Sequence, residues 1–237
     1  MKKCFFTLTA LLALSFAKAQ TADEIVSKHV DAIGGKEKLS QITSLYIESG
    51  TEVMGTEMET KTTILHGKGF RNESDFNGQK LVQVVTDKGG WMINPFAGSS
   101  DPTALPAEQY KLGEDQVFIV SPLYDYAAHG GKVELMGQEK VGEVNAYKLK
   151  YTNKDSGEIL FYIDPTTYHA LQAVKKGTAM GQDVTVTTSF SNYQKTDAGI
   201  SLPYTTDIDM GQFALKVNVK KVETNKTIDP TIFDMPK

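Results

Sequence analysis

The residue types able to carry chemistry in this 237-residue chain are few and dispersed. His29, His66, His129 and His169 stand far apart, and none has a second ligand at HxxxH or HxH spacing, the patterns that bring two metal ligands onto one face. His29 falls four residues after Ile25 and reads as the flank of a helix, and His129, before Gly130-Gly131, reads as part of a turn. A serine hydrolase needs its nucleophile on a strained strand-to-helix turn such as GxSxG; Gly98-Ser99-Ser100 instead lies in a proline-flanked loop. Asp207 and Asp209 flank Ile208 and share one strand face, whereas paired glycosidase carboxylates must meet across a cleft, so a solvated face accounts for them. Lys88-Gly89-Gly90 is too short for a phosphate loop and leads straight into Trp91-Met92-Ile93, as a hairpin turn does. The expectation is a protein that is not an enzyme and takes no metal or cofactor.

Positioning elements begin after an export signal. Lys2 and Lys3 precede an apolar zone from Cys4 to Phe16, and Ala17-Lys18-Ala19 forms a small-x-small cleavage site, so a signal peptide spanning 1–19 is expected, cleaved after Ala19. The apolar zone is about 13 residues, short of the roughly 20 that a spanning helix needs, and no later segment replaces it. A lipoprotein signal sets its cysteine immediately after the cut; Cys4, the single cysteine, leaves with the peptide. A soluble periplasmic protein without disulfide or thiolate chemistry is expected. Subtracting Lys2, Lys3 and Lys18 from 25 basic residues leaves 22 against 29 acidic, a net charge of −7, which argues against nucleic acid as a partner. Arg71 is the sole arginine, so the planar fork that clamps phosphate is scarce. With no Pro-, Ser- or Gly-rich linker in the sequence, residues 20–237 read as one domain.

Thr21-Ala22-Asp23-Glu24 is a capping box, followed by Ile25, Val26, Val30 and Ile33 at helical spacing and stopped by Gly34-Gly35. A short second helix is expected over 36–41. The period then changes from 3.6 to 2. Phe213, Leu215, Val217 and Val219 alternate with Ala214, Lys216, Asn218 and Lys220, and the same pattern holds for Tyr147, Leu149 and Tyr151 and for Val184, Val186 and Phe190. Strands are expected near 43–54, 57–66, 69–76, 80–87, 90–94, 132–140, 143–153, 158–164, 169–177, 183–195, 200–209 and 212–224. The interval 95–131 breaks the rhythm and reads as loop plus short helices. An antiparallel sheet this long must curl, and a helical insertion between its two runs of strands would plug the concave side. Met54, Met58, Met92, Met136, Met180, Met210 and Met235 suit an adaptable cavity or an ordinary core equally well.

The capped helix with Ala32-Ile33-Gly34-Gly35, the strand series opening at Ser44-Leu45-Tyr46-Ile47, the mid-chain insertion and the closing run from Gly199-Ile200-Ser201-Leu202-Pro203 to Ile228-Asp229-Pro230-Thr231-Ile232-Phe233 together resemble the outer-membrane lipoprotein-sorting (LolA/LolB-like) superfamily, in its divergent Bacteroidota-type branch. The resemblance covers essentially all of residues 20–237. It implies a mainly β fold: an incomplete, half-open antiparallel barrel of about eleven strands, with an N-terminal helix and the insertion as lid. It implies a periplasmic carrier that shelters a lipoprotein acyl chain or other lipid, passed between envelope donor and acceptor proteins. The cavity would be lined by Leu45, Ile47, Phe70, Leu81, Val84, Trp91, Ile93, Leu149, Phe161, Val186, Phe213 and Leu215, and the lid would present Ile25, Val30, Ile33, Phe118 and Leu123. In such carriers an early-strand arginine can hold the lid; Arg71 either takes that part or pairs on the surface with Glu73 or Asp75. The alternative is a non-catalytic periplasmic scaffold or interaction module whose core is filled.

Overall fold

The structure, a computed structural model, describes residues 20–236 apart from 54, 55, 98, 180 and 212; the expected signal peptide, its cleavage site, Met54 and Met180 lie outside the described residues. Helix α1 (Ala22–Ala32) opens with the expected capping box: Glu24 N–H donates to Thr21 Oγ1, and the Thr21 N–H donates to the Glu24 carboxylate. Its apolar stripe buries Ile25, Val26 and Val30. A five-residue helix, α2 (Lys36–Ser40), follows.

The strands are β1 (Ser44–Val53), β2 (Thr56–Leu65), β3 (Gly69–Phe76), β4 (Gln79–Thr86), β5 (Gly89–Asn94), β6 (Ser99–Ala104), β7 (Lys132–Val141), β8 (Val144–Thr152), β9 (Glu158–Ile163), β10 (Ala170–Ala179), β11 (Gln182–Lys195), β12 (Ser201–Asp209) and β13 (Ala214–Thr224). All thirteen form one antiparallel sheet that is not closed, in the order β6-β5-β4-β3-β2-β1-β13-β12-β11-β10-β9-β8-β7. Twelve occupy the expected stretches. The thirteenth, β6, falls inside the interval read as loop: Ser99-Ser100-Asp101-Pro102-Thr103-Ala104 has no apolar alternation and contains a proline, which a sheet tolerates at its edge, where β6 lies.

Two meanders thus meet at β1 and β13, and β6 and β7 are the unpaired edges. The connection from one edge to the other carries α3 (Ala107–Gly113) and a 3-10 turn, Glu114–Val117. In a half-open barrel that connection has to cross the open side, so the place of the helical insertion follows from strand order.

Pairing fixes which residues share a face. Leu45, Ile64, Phe70 and Val85 are successive cross-strand partners, as are Leu135, Leu149, Phe161 and Ala173. Leu149 and Phe161 are buried in one cluster with Ile25 and Val30 of α1, Ile33 at its C-terminal cap, and Val120 and Leu123 of the insertion, so this is the inner, helix-bearing face. On the opposite, outer face, Val82, Val84 and Trp91 form a smaller cluster with Phe233, from the C-terminal 3-10 turn Pro230–Phe233.

Candidate functional site: the inner face of the half-barrel

Two sections of the inner face are tightly covered. Over β8–β10, α1 and residues 120–123 exclude water from Leu149, Phe161 and Ile163. Helix α3 is fastened to β10 by Lys175, whose ammonium donates to the carbonyl oxygens of Lys111 and Leu112, each at 3.2 Å, and to the Asp115 carboxylate at 2.6 Å. Leu112 lies directly over Gly177, where an added Cβ would come within 2.4 Å of it. On the other side, the Tyr110 hydroxyl donates to the Thr86 carbonyl, Gly67 N–H donates to the Val117 carbonyl, and Ile119 N–H donates to His66 Nδ1. The insertion therefore bridges β10 and the β2–β5 wing.

Between these anchored ends the inner face is apolar and less covered. Ile47, Val184, Val186, Ile208, Leu215, Val217 and Val219 are only half-buried, on β1 and β11–β13. Their alternates on β13, Ala214, Lys216, Asn218 and Lys220, are exposed on the outer face. Register aligns the stripe across strands: Ile47 opposite Val222, and Leu215 opposite Ile208. Beside it, β1–β3 contribute hydroxyls that satisfy one another: Thr51 and Thr60 at 2.8 Å, then Thr60 and Ser74 at 3.3 Å. Buried polar groups paired in this way carry little desolvation penalty.

Open space lies on both flanks of α3. A cavity of about 540 Å³ sits between the insertion and the 66–67, 87 and 153–155 turns, walled by Tyr110, Phe118, Tyr124 and Tyr151. A second, of about 310 Å³, separates α3 from β9 and β10, and a third, of about 230 Å³, lies between the start of the insertion and β3–β5.

The residues expected to line a cavity divide accordingly. Leu45, Ile47, Phe70, Leu81, Leu149, Phe161, Val186 and Leu215 share the inner face. Of these Leu45, Leu149 and Phe161 are spent in packing, and Leu81 reaches the 230 Å³ cavity. Val84, Trp91 and Ile93 side with the outer face, because Val84 pairs with both Arg71 and Trp91, and Val82 with Ile93, although Ile93 also borders the cavity of about 230 Å³. Phe213 is 59% exposed in the β12–β13 connection. Ile25, Val30, Ile33 and Leu123 are buried under the cover, while Phe118 is 44% exposed, edge-on to His66 at the cavity of about 540 Å³. Of the two parts foreseen for Arg71 it takes the pairing with Glu73, to which Nη2 donates at 2.8 Å, and not the lid: Nη1 donates at 2.8 Å to the Ile232 carbonyl of the C-terminal turn, on the outer face, and not to the mid-chain insertion. Lys175, which does hold the insertion, carried no sequence signal beyond being a lysine at an inward position of its strand.

The histidines fall in two neighbouring pairs: His169 lies near enough to His29, and His129 near enough to His66, to disfavour a second positive charge, and His66 and His129 both line the cavity of about 540 Å³. His29 is buried in α1, its Nδ1 2.8 Å from the Tyr168 carbonyl oxygen and its Nε2 without a partner; burial lowers its pKa. His169 stacks on Tyr193 at 4.1 Å, and His129 Nδ1 lies 3.1 Å from the Asp125 carbonyl oxygen. Among the described residues no group of three or more His, Cys, Asp or Glu side chains is placed to hold a metal ion, and no helix is long and apolar enough to cross a membrane.

An open antiparallel half-barrel with its helices on the inner face is the class these features define. No protein-family model and no curated sequence matches the chain. Among solved structures it is similar to a DUF1329-family protein from Desulfovibrio piger (14% identity, TM-score 0.59, 91% of this chain and 98% of that one). It is similar as well to a LolA-superfamily protein from Nitrosomonas europaea (13%, 0.58, 91% and 98%) and to a putative outer-membrane lipoprotein-sorting protein domain from Vibrio parahaemolyticus (13%, 0.56, 90% and 96%). The chain has a divergent LolA-like fold.

Proposed function

We propose that this protein is a periplasmic carrier that binds the acyl chain of a lipoprotein or another lipid along its inner face and does no covalent chemistry on it. The observation that carries this reading is the half-buried apolar stripe of Ile47, Val186, Ile208, Leu215, Val217 and Val219, set between two anchored stretches of helical cover. Such surface gains roughly 0.8 kcal/mol for each methylene it removes from water, so contact with part of an acyl chain gives useful affinity after the cost of displacing the cover. The fold shared with the Vibrio lipoprotein-sorting domain supports the same reading. Release would come from an envelope acceptor of higher affinity.

Native mass spectrometry of the protein purified from a periplasm tests this. Co-purified lipid, displaced by a fluorescent fatty acid, is the expected result. Repeated recovery of lipid-free protein that takes up no probe would overturn the proposal in favour of a scaffold with a filled core.

A further inference from the structure

The cavity of about 230 Å³ between the start of the insertion and β3–β5 differs from the rest of the inner face in its chemistry. Every lining side chain is uncharged, and the polar ones are amides and a hydroxyl: Asn72, Ser74, Gln83 and Gln109 among them, beside apolar Leu81 and Met92. Asn72 Nδ2 donates to Thr62 Oγ1 at 2.9 Å, and the Ser74 hydroxyl pairs with Thr60. The amides of Gln83, on β4, and Gln109, on α3, are half-buried and have no hydrogen-bond partner among the described residues. Each amide offers a carbonyl acceptor and two N–H donors. The lone arginine is engaged on the outer face with Ile232 and Glu73.

We infer that this cavity is a head-group subsite for acyl compounds whose polar end is uncharged, an ester, amide or glyceryl group, held by Gln83 and Gln109. A carboxylate or phosphate entering here would give up hydration without meeting a compensating charge, which is costly. An ester or amide would exchange its water for the two free amides at little net loss. The space holds the equivalent of about eight water molecules, enough for a glyceryl ester. Leu81 and Met92 supply the apolar surface on which the first methylenes of the chain would lie. The inference rests on the carrier reading and deepens it, by separating cargo with neutral heads from fatty acids and acidic phospholipids.

The test is displacement of a fluorescent acyl probe from the purified protein by a chain-matched set: a monoacylglycerol, a primary fatty amide, a free fatty acid and a lysophosphatidate. The two neutral compounds are expected to compete at concentrations lower by about tenfold or more, a difference of roughly 1.4 kcal/mol. Gln83→Lys and Gln109→Lys, which place a cation in the subsite, should each erase that advantage by favouring the anionic compounds. Gln83→Leu, which removes donors without adding charge, should weaken the neutral ligands alone. Equal or better competition by the charged compounds, or a preference untouched in all three variants, overturns the subsite. Failure of the probe to bind at all is a different result: it removes the carrier reading, and this inference with it.

Discussion

In the wing formed by β7–β12, the packed core lies on the inner face, where α1 and residues 120–123 bury Leu149, Phe161 and Ile163. In the wing formed by β2–β5, the equivalent packing lies on the outer face, where the C-terminal turn clamps Phe233 against Val82, Val84 and Trp91. Two carbonyl groups of that turn are held as well: Trp91 Nε1 donates to the Phe233 carbonyl at 2.9 Å, and Arg71 donates to that of Ile232. The difference teaches how one sheet can be stable and keep open inner surface. Were both wings packed from within, the two layers of side chains would meet in the mouth of the half-barrel. Packing the other wing from behind as well leaves part of the inner surface of β3–β5, at Asn72, Ser74, Leu81, Gln83 and Met92, to line a cavity, while Val85 stays buried under the insertion.

The comparison breaks most readily in the larger core. Phe161→Ala should cost about 3–5 kcal/mol in urea denaturation, since a buried ring vacates space that its neighbours cannot refill. Trp91 is the single tryptophan and stands in the other wing, so its fluorescence reports whether both wings unfold together. A loss under about 1 kcal/mol would show that the β7–β12 core is not the main source of stability. Phe233→Ala should cost less, about 2–3 kcal/mol, because a terminal turn relaxes more easily, and it should shift Trp91 emission to the red. Unchanged emission would mean that the outer clamp does not shield the indole.

Gly69→Ala sharpens the same contact. An added Cβ would lie 2.6 Å from the Phe233 ring, so the turn must lift, at about 1–2 kcal/mol, with the same emission shift but smaller. Next comes pH. Burial holds the pKa of His29 below its ordinary 6.5, so the folded state sheds this proton while the unfolded chain keeps it. Stability is then complete above about pH 6.5 and falls below it, by up to roughly 1.4 kcal/mol per pH unit. Urea midpoints measured against pH should show that slope in the parent and a shallower one in His29→Gln, the remainder belonging to His66, whose pKa burial also lowers; an equal slope in both would place the sensitivity elsewhere. The smallest effect is expected for Thr21→Ala, about 1 kcal/mol through loss of the α1 cap, visible as faster amide exchange in the first turn.

Much of this architecture was legible from local pattern. Period-two alternation located twelve strands, and Thr21 with Glu24 located the start of α1, because each signal is written in residues that are neighbours along the chain. β6 was not legible, since pairing to β5 and not composition makes it a strand. The site was legible in part. Alternation gives two faces but not which one is covered, and Val84, Trp91 and Ile93 are apolar because a segment some 140 residues away lies behind them. Likewise the pairing of Arg71 with Glu73 was legible, but its second partner is a backbone carbonyl, which every residue carries. Gln83 and Gln109 gave no signal at all; two glutamines become a site only when β4 and α3 are brought together.

Strand order also governs when the molecule can be finished. β1 and β13 pair along their whole length, from Leu45 opposite Thr224 to Val53 opposite Leu215, so one of the first strands made must wait for the last. A chain delivered N-terminus first exposes β1 as a free strand edge throughout delivery, and loop-closure entropy makes this junction among the slowest to form. A product truncated before residue 214 would retain that edge permanently, a template for pairing with other chains. The closing strand is therefore a checkpoint for completeness, and the β1–β13 seam is where interrupted synthesis would turn into aggregation.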